Sequence, residues 1–167
     1  VRRWLIAFFS VLLIWLSSSQ SAELFVNGDM LNRLQHEYSD QARRRGVALN
    51  SLLTELQGQT TEKQLIEVNR FFNQFSYRED SDVWGEKDYW ATPEEFLGTQ
   101  QGDCEDFVIA KYFALRKLGV ADSHLYLTYV KALKQNVAHM VLSYFETPGS
   151  IPLILDNYNP AILKGNK

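Results

Sequence analysis

The spacing of apolar residues changes once along this chain, close to Gly119. Before that point they recur every three or four residues. Met30, Leu31, Leu34 and Tyr38 form one such series, and Leu49, Leu52, Leu53 and Leu56 form another. Leu65, Val68, Phe72 and Phe75 form a third, and Phe107, Ala110, Ala114 and Leu118 a fourth, flanked by Val108 and Leu115. After Gly119 the alternation has period two, in "HLYLTYVKAL", "NVAHMVLSYF" and "IPLILDNY". Period 3.6 belongs to amphipathic helices and period 2 to half-buried strands. The spacing predicts helices over 28–57 in two pieces, over 62–76 and over 104–118, followed by three strands at 124–133, 136–145 and 151–158. Helices first and an antiparallel sheet last is an α+β order.

The 167 residues allow one domain with a sizeable core. "VRR", an uncharged run from Trp4 to Leu16 and the small-residue stretch "SSSQSA" read as an export signal over residues 1–22, with an uncleaved anchor as the rival. That leaves 23–167 as the working domain, in the periplasm. The net charge is −3 with mixed signs, and "ARRRG" at 42–46 is the one basic cluster, read as a solvated helix end. Nucleic acid is therefore not an expected partner, and a membrane only through the N-terminal segment.

Local signals punctuate this frame. Thr61 with Gln64 reads as a capping box. The Asp-, Trp- and Tyr-rich stretch 77–103 reads as a long functional loop, interrupted where Thr92 caps a short helix with Pro93 in its first turn. Asp103 is the natural N-cap of the next helix, which puts Cys104 at its first position.

Cys104 is the single cysteine of the chain. An exported lone cysteine is inert, an intermolecular link or a reactive thiol. A helix start favours the thiolate, whereas its neighbours Asp103, Glu105 and Asp106 oppose it. These three carboxylates read either as a cap with first-turn charges or as hard oxygen ligands. Of the three histidines, His36 falls on the first helix and His124 opens a strand. His139 lies inside a strand, where it needs a partner. If the "ETPGS" turn centres between Thr147 and Pro148, Asp156 lies opposite His139. Centred one residue later, Asp156 is diagonal to it on the same face. Cys104, His139 and Asp156 would then form a nucleophile, base and orienting acid. No C-x-x-C or H-x-x-x-H spacing supports a zinc site.

The run "YWATPEEFLGTQQGDCEDFVIAKYFALRKLGV", with "AHMVLSYF" and "LILDNYN" after it, resembles the bacterial transglutaminase-like cysteine proteinase family. The resemblance extends from about Leu65 to Asn159. It implies a papain-like/transglutaminase-like core with the nucleophile on Cys104, the base on His139 and the acid on Asp156. It also implies Ca2+ as cofactor, held near the nucleophile by Asp103 and Glu105 with Asp106. A large surface adhesin, cut near its N-terminus, is the implied substrate, and the periplasmic domain of an inner-membrane cyclic di-GMP receptor the implied regulator. Where the family continues past the aspartate into further strand sequence, this chain has only "NPAILKGNK", and an open sheet edge is expected there. Acyl transfer on the same triad, and a non-catalytic binding module, remain the alternative readings.

Overall fold

The computed structural model describes residues 25–166; the export signal expected at 1–22 lies outside them. Among the described residues no helix is long and apolar enough to cross a membrane. Within residues 25–166, six α-helices precede a four-stranded sheet. The chain opens with α1 (Gly28–Arg33), capped by Asn27, which runs on as a π turn through Leu34–Tyr38. Ser39 then caps α2 (Asp40–Leu56) by accepting from the Ala42 N–H at 3.0 Å. His36 is exposed on the π turn.

Helix α3 (Thr61–Phe72) starts and stops earlier than its hydrophobic series suggests. Its cap is Thr60, not Thr61, and accepts from the Lys63 N–H. Gln64 has turned inward instead and donates to the Leu56 carbonyl, stapling α3 to the end of α2. Phe75 lies past the helix end yet stays buried, because a helical face and the turn that follows it cover the same core.

The stretch expected as a long loop is built. It contains β1 (Ser76–Tyr77), α4 (Asp80–Val83), α5 (Pro93–Thr99) and β2 (Gln101–Gly102). β1 and β2 pair in parallel. Thr92 and Glu95 close a full capping box on α5, and Pro93 sits in its first turn as expected. The "ARRRG" cluster is not a solvated helix end. It lies inside α2, and Arg45 is half-buried there, donating from Nε to the Leu97 carbonyl and from Nη2 to the Gly98 carbonyl, both at 2.7 Å. It thus satisfies carbonyls that α5 leaves free at its C-terminus. Gly98 is required beside it, since a Cβ there would lie 2.6 Å from the Tyr38 ring.

Helix α6 (Cys104–Lys117) runs through the centre, and Gly119, at φ 93°, follows its C-cap in the left-handed region. Phe72, Phe75, Phe96 and Phe107 pack edge-on or tilted in a chain, with successive centroids 5.7, 4.9 and 4.8 Å apart. Phe72, Phe96 and Phe107 are almost wholly buried, each stabilising the fold by roughly 2–3 kcal/mol. This aromatic seam fixes α6, and hence Cys104, against α3 and α5.

The sheet order is β3 (Leu125–Ala132), β4 (Val137–Tyr144), β5 (Leu153–Leu155) and β6 (Leu163–Lys164), all antiparallel. The three expected strands are present, though the last is short. β6, formed by the closing residues, was not anticipated; two residues are too few to show alternation. β4 packs on α6 through Met140 and Leu142, members of the same core.

Candidate active site

Asp103 is the N-cap of α6, and Cys104 follows at the first helical position. Asp106 reaches back to accept the Asp103 N–H at 3.2 Å and also holds the Ala91 N–H at 2.8 Å. The turn can be this tight only because residue 102 is glycine: a Cβ there would stand 2.2 Å from an Asp106 carboxylate oxygen. The G-D-C-E-D run therefore has a geometric reading: a close approach, a cap, the thiol, and an acid that ties α6 to the segment leading into α5.

The thiol donates to Glu105 Oε2 at 3.1 Å. Burial, and then that hydrogen bond, push Cys104 up to about 12, while the Met140 backbone N–H pulls the other way. The helix start was expected to lower this thiol. Without a cation, desolvation and the adjacent carboxylate outweigh it. The same crowding raises Asp103 to about 9 and Asp106 to about 7, burial being the largest cause in both.

His139 comes from β4 and Asp156 from the end of β5. Leu142 pairs with Leu155 and Ser143 with Ile154, so the turn centres between Pro148 and Gly149. That is the later of the two registers considered, and it makes Asp156 diagonal to His139. Asp156 Oδ1 accepts from His139 Nε2 at 2.8 Å and from the Tyr158 N–H at 2.9 Å. Asn73, just past α3, donates to the Asp156 carbonyl at 2.8 Å. Burial raises the Asp156 carboxyl, but the hydrogen bonds from His139 and Tyr158 more than offset it, and the group is held below the ordinary carboxylate range. With Nε2–H given to Asp156, the lone pair of the imidazole is on Nδ1. That atom is buried and has no hydrogen-bond partner.

The later register also delivers Tyr158, which sequence reasoning missed. Its ring stacks on His139 with centroids 4.1 Å apart and planes 3° from parallel. The imidazole, 2% exposed, is thus fixed by a hydrogen bond in its plane and a ring on its face. His124 has a different task, hydrogen-bonding the Phe145 carbonyl through Nδ1. Cys104 and His139 line one cleft of about 370 Å3. Trp90 and Tyr129, 53% and 73% exposed, also line it and give it two large aromatic surfaces.

Beside the thiol lies an acidic cluster wider than the three residues expected. Ligand oxygens of Asp80, Asp103 and Asp106 come within 4.8 Å of one another, as do those of Asp80, Asp88 and Glu105. Asp80 Oδ1 and Asp103 Oδ1 are buried without hydrogen-bond partners. Buried, unpaired carboxylate oxygens so close together fit a hard divalent cation, which takes oxygen ligands from irregular cages. Asp103 and Glu105 stand where such an ion would meet them, and Asp80 and Asp88 extend the set. Both Asp106 oxygens already accept backbone N–H groups, so its first task is to hold the wall of the cluster. Asp80 and Asp88 belong to the acidic stretch 77–103, but nothing in their spacing singled them out.

The family model for bacterial transglutaminase-like cysteine proteinases (Peptidase_C93) matches residues 37–167. The chain belongs to this family. Its fold is also that of Legionella pneumophila LapG. The EGTA-treated LapG structure superposes with a TM-score of 0.74 at 43% identity, covering 83% of this chain and 74% of that one. A calcium-bound LapG structure gives a TM-score of 0.73 at the same identity, covering 83% and 76%. No curated protein sequence matches. As a family member the chain is a cysteine peptidase with an α+β, transglutaminase-like fold.

Proposed function

We propose that this peptidase is a calcium-dependent periplasmic endopeptidase acting through Cys104, His139 and Asp156. The observation that carries the reading is the imidazole: Nε2 is bonded to Asp156, Nδ1 is left without a partner, and His139 lines the same cleft as Cys104. The Cys104 sulfur attacks a peptide carbonyl carbon, and His139 Nδ1 takes the thiol proton. The same nitrogen returns a proton to the amine as the C–N bond breaks, leaving a thioester. Water, deprotonated by His139, then hydrolyses that thioester and restores the thiol. Asp156 keeps the imidazole in the required tautomer and stabilises its cation. The Cys104 backbone N–H, at the first helical position, is the donor proposed for the developing oxyanion.

Asp103 and Glu105, with Asp80 and Asp88, would hold Ca2+. Bound there, the ion supplies positive charge beside the thiol and so offsets the carboxylates that oppose its ionisation. Glu105, whose Oε2 accepts from the thiol in this structure, would be one of the ligands of that ion. The resemblance to LapG and the calcium-bound LapG structure support this reading. A large surface adhesin, cut near its N-terminus at a small-residue site, is the proposed substrate. The periplasmic domain of an inner-membrane cyclic di-GMP receptor is the proposed regulator. The test is cleavage of the adhesin's N-terminal segment by the wild-type protein and by Cys104→Ala, each with Ca2+ and with a chelator. Cleavage by the wild type with Ca2+ alone is expected; cleavage by Cys104→Ala at the wild-type rate refutes the mechanism. Transfer of the acyl group to an added amine in place of hydrolysis would mark a transferase instead.

A further inference from the structure

We propose that Asn69 and Asn73 are positioning residues for the peptidase reaction: their side-chain amides fasten the turn at 156–160 to α3, and through that turn set Asp156 and Tyr158 about His139. The role rests on the triad reading above. β5 ends at Leu155, whose pairing with Leu142 is the last step of the β4–β5 ladder. Asp156 follows at once, outside the ladder. Among the described residues, 156–160 make no hydrogen bond between main-chain groups. Side chains tie this turn instead. Asp156 Oδ1 accepts from the Tyr158 N–H at 2.9 Å, which sets these two residues relative to each other. Asn73 Nδ2 donates to the Asp156 carbonyl at 2.8 Å, and Asn69 Nδ2 donates to the Pro160 carbonyl at 3.2 Å. The main chain of the turn is thus fixed to α3 at both ends.

The anchor is rigid. Asn69 lies in the last turn of α3, and Asn73 is the C-cap, its N–H bonded to the Asn69 carbonyl at 3.0 Å. At i and i+4 the two side chains share one face. Val68 and Phe72, their neighbours in sequence, are 0% exposed and hold the helix in the core. Residue type singles out the donor. The Oδ1 atoms of both asparagines are buried without hydrogen-bond partners. Leucine has nearly the same shape and would leave no such oxygen. What asparagine adds is Nδ2, and a carbonyl opposite it can only accept, so the nitrogen must face the turn.

Both restraints on the imidazole come from this one turn. Asp156 takes Nε2 at 2.8 Å, and the Tyr158 ring covers the face with centroids 4.1 Å apart. The main chain of His139 belongs to β4. Where the base sits relative to its two restraints therefore depends on where α3 holds the turn. Released from α3, the turn would keep its internal bond from the Tyr158 N–H and shift as a unit. The Nε2 bond would lengthen and the ring would lift together, leaving the imidazole free to rotate out of the orientation and tautomer a base requires.

Asn73→Leu removes the donor at Asp156 and keeps the side-chain shape; Asn69→Ala removes the donor at Pro160. Cys104 is the single cysteine, so alkylation by iodoacetamide reports on its thiol alone. In excess Ca2+ at about pH 7, Asn73→Leu should slow alkylation about threefold to tenfold, the rate equivalent of one neutral hydrogen bond. In 1H–15N spectra the His139 Nε2–H proton should move upfield as its bond to Asp156 lengthens. The ring-current shift that Tyr158 imposes on the His139 Cε1–H proton should shrink as well. Asn69→Ala should change the same three readouts in the same directions. A lower melting temperature with all three unmoved means a structural role only and overturns the proposal. Slower alkylation with unmoved His139 resonances overturns it too, as do moved resonances with unchanged alkylation. If Asn73→Leu does not fold, Asn69→Ala decides by the same criteria. His139→Ala separates this outcome from failure of the triad, and should slow alkylation more than Asn73→Leu does. If it does so while Asn73→Leu matches the wild type, the asparagines lose their role and the triad stands. If His139→Ala alkylates at the wild-type rate, the triad reading fails and the positioning role falls with it.

Discussion

Removing the cation should reverse the usual pH dependence of carboxylate-bearing proteins in this one. Asp106 is fully buried, and its carboxyl is raised from 3.8 to about 7. A carboxyl whose folded pKa is raised binds its proton more tightly in the folded state. Its contribution to stability is fully present below about pH 4 and is lost as pH climbs to about 7. Three pH units at about 1.4 kcal/mol each amount to roughly 4 kcal/mol from Asp106 alone. Asp103, raised for the same reasons, acts in the same direction, discounted for its greater contact with solvent. Asp156 and Glu95 are held below the ordinary range, so they lose their contributions only below about pH 4, outside this window. For a domain of this size each kcal/mol moves the melting temperature by about 2–4 °C, so the chelated protein should melt ~10 °C lower at pH 7.5 than at pH 4. On the proposed reading, Ca2+ bound there would replace the missing protons as counter-charge and stabilise by mass action. The calcium-loaded curve should therefore stay level above pH 5.5, and the gap between the two curves should widen with pH. Circular-dichroism melts in chelator and in excess Ca2+ at half-unit steps would show this. A chelated melting temperature that stays level or rises from pH 4 to 7.5 would refute the account of the acidic cluster, as would a gap independent of pH.

Two further outcomes follow from individual contacts. Tyr158→Ala should lower kcat/KM about threefold to tenfold, the equivalent of a lost ring stack of ~0.5–1.5 kcal/mol, while Tyr158→Phe should stay near wild type. Equal losses in both variants would mean that the hydroxyl, not the ring over His139, matters. Arg45→Met should destabilise the fold by ~2–3 kcal/mol in urea titrations, since it strands two carbonyls at the end of α5 that a charged donor now satisfies. A change under 0.5 kcal/mol, about the size of an ordinary surface substitution, would return Arg45 to the solvated face that its sequence context suggests.

What the sequence disclosed follows the range of the physics involved. The helix and strand series were legible because hydrophobic spacing is a local record of a buried face. Asp103, Pro93 and Gly119 were legible because caps and helix stops are local too. Thr60 displaced Thr61 because Gln64, the would-be partner, found a better acceptor eight residues back, at the end of α2. Arg45 looks solvated in its tripeptide, and its carbonyl partners lie more than fifty residues away. Asp80 and Asp88 are indistinguishable from the other acids of their stretch until β1 and β2 pair and bring that stretch against the start of α6.

His139 and Asp156 are the instructive case, because period two narrowed their relation without fixing it. Both registers left the two side chains on one face, so the pairing was predictable although the turn was not. The register that forms sets residue 158 in line with His139 and Asp156 one step aside. From there the carboxylate reaches Nε2 in the plane of the ring, and Tyr158 covers its face. Had the turn centred one residue earlier, Asp156 would have been the residue in line, and Tyr158 would have moved two positions off. The hydrogen bond could survive that slip; the stack could not. The two-part clamp on the imidazole is therefore set by the turn at Pro148–Gly149, where Gly149 adopts φ 83°. A residue unable to hold that conformation there would act on the active site through register, from the far end of the hairpin.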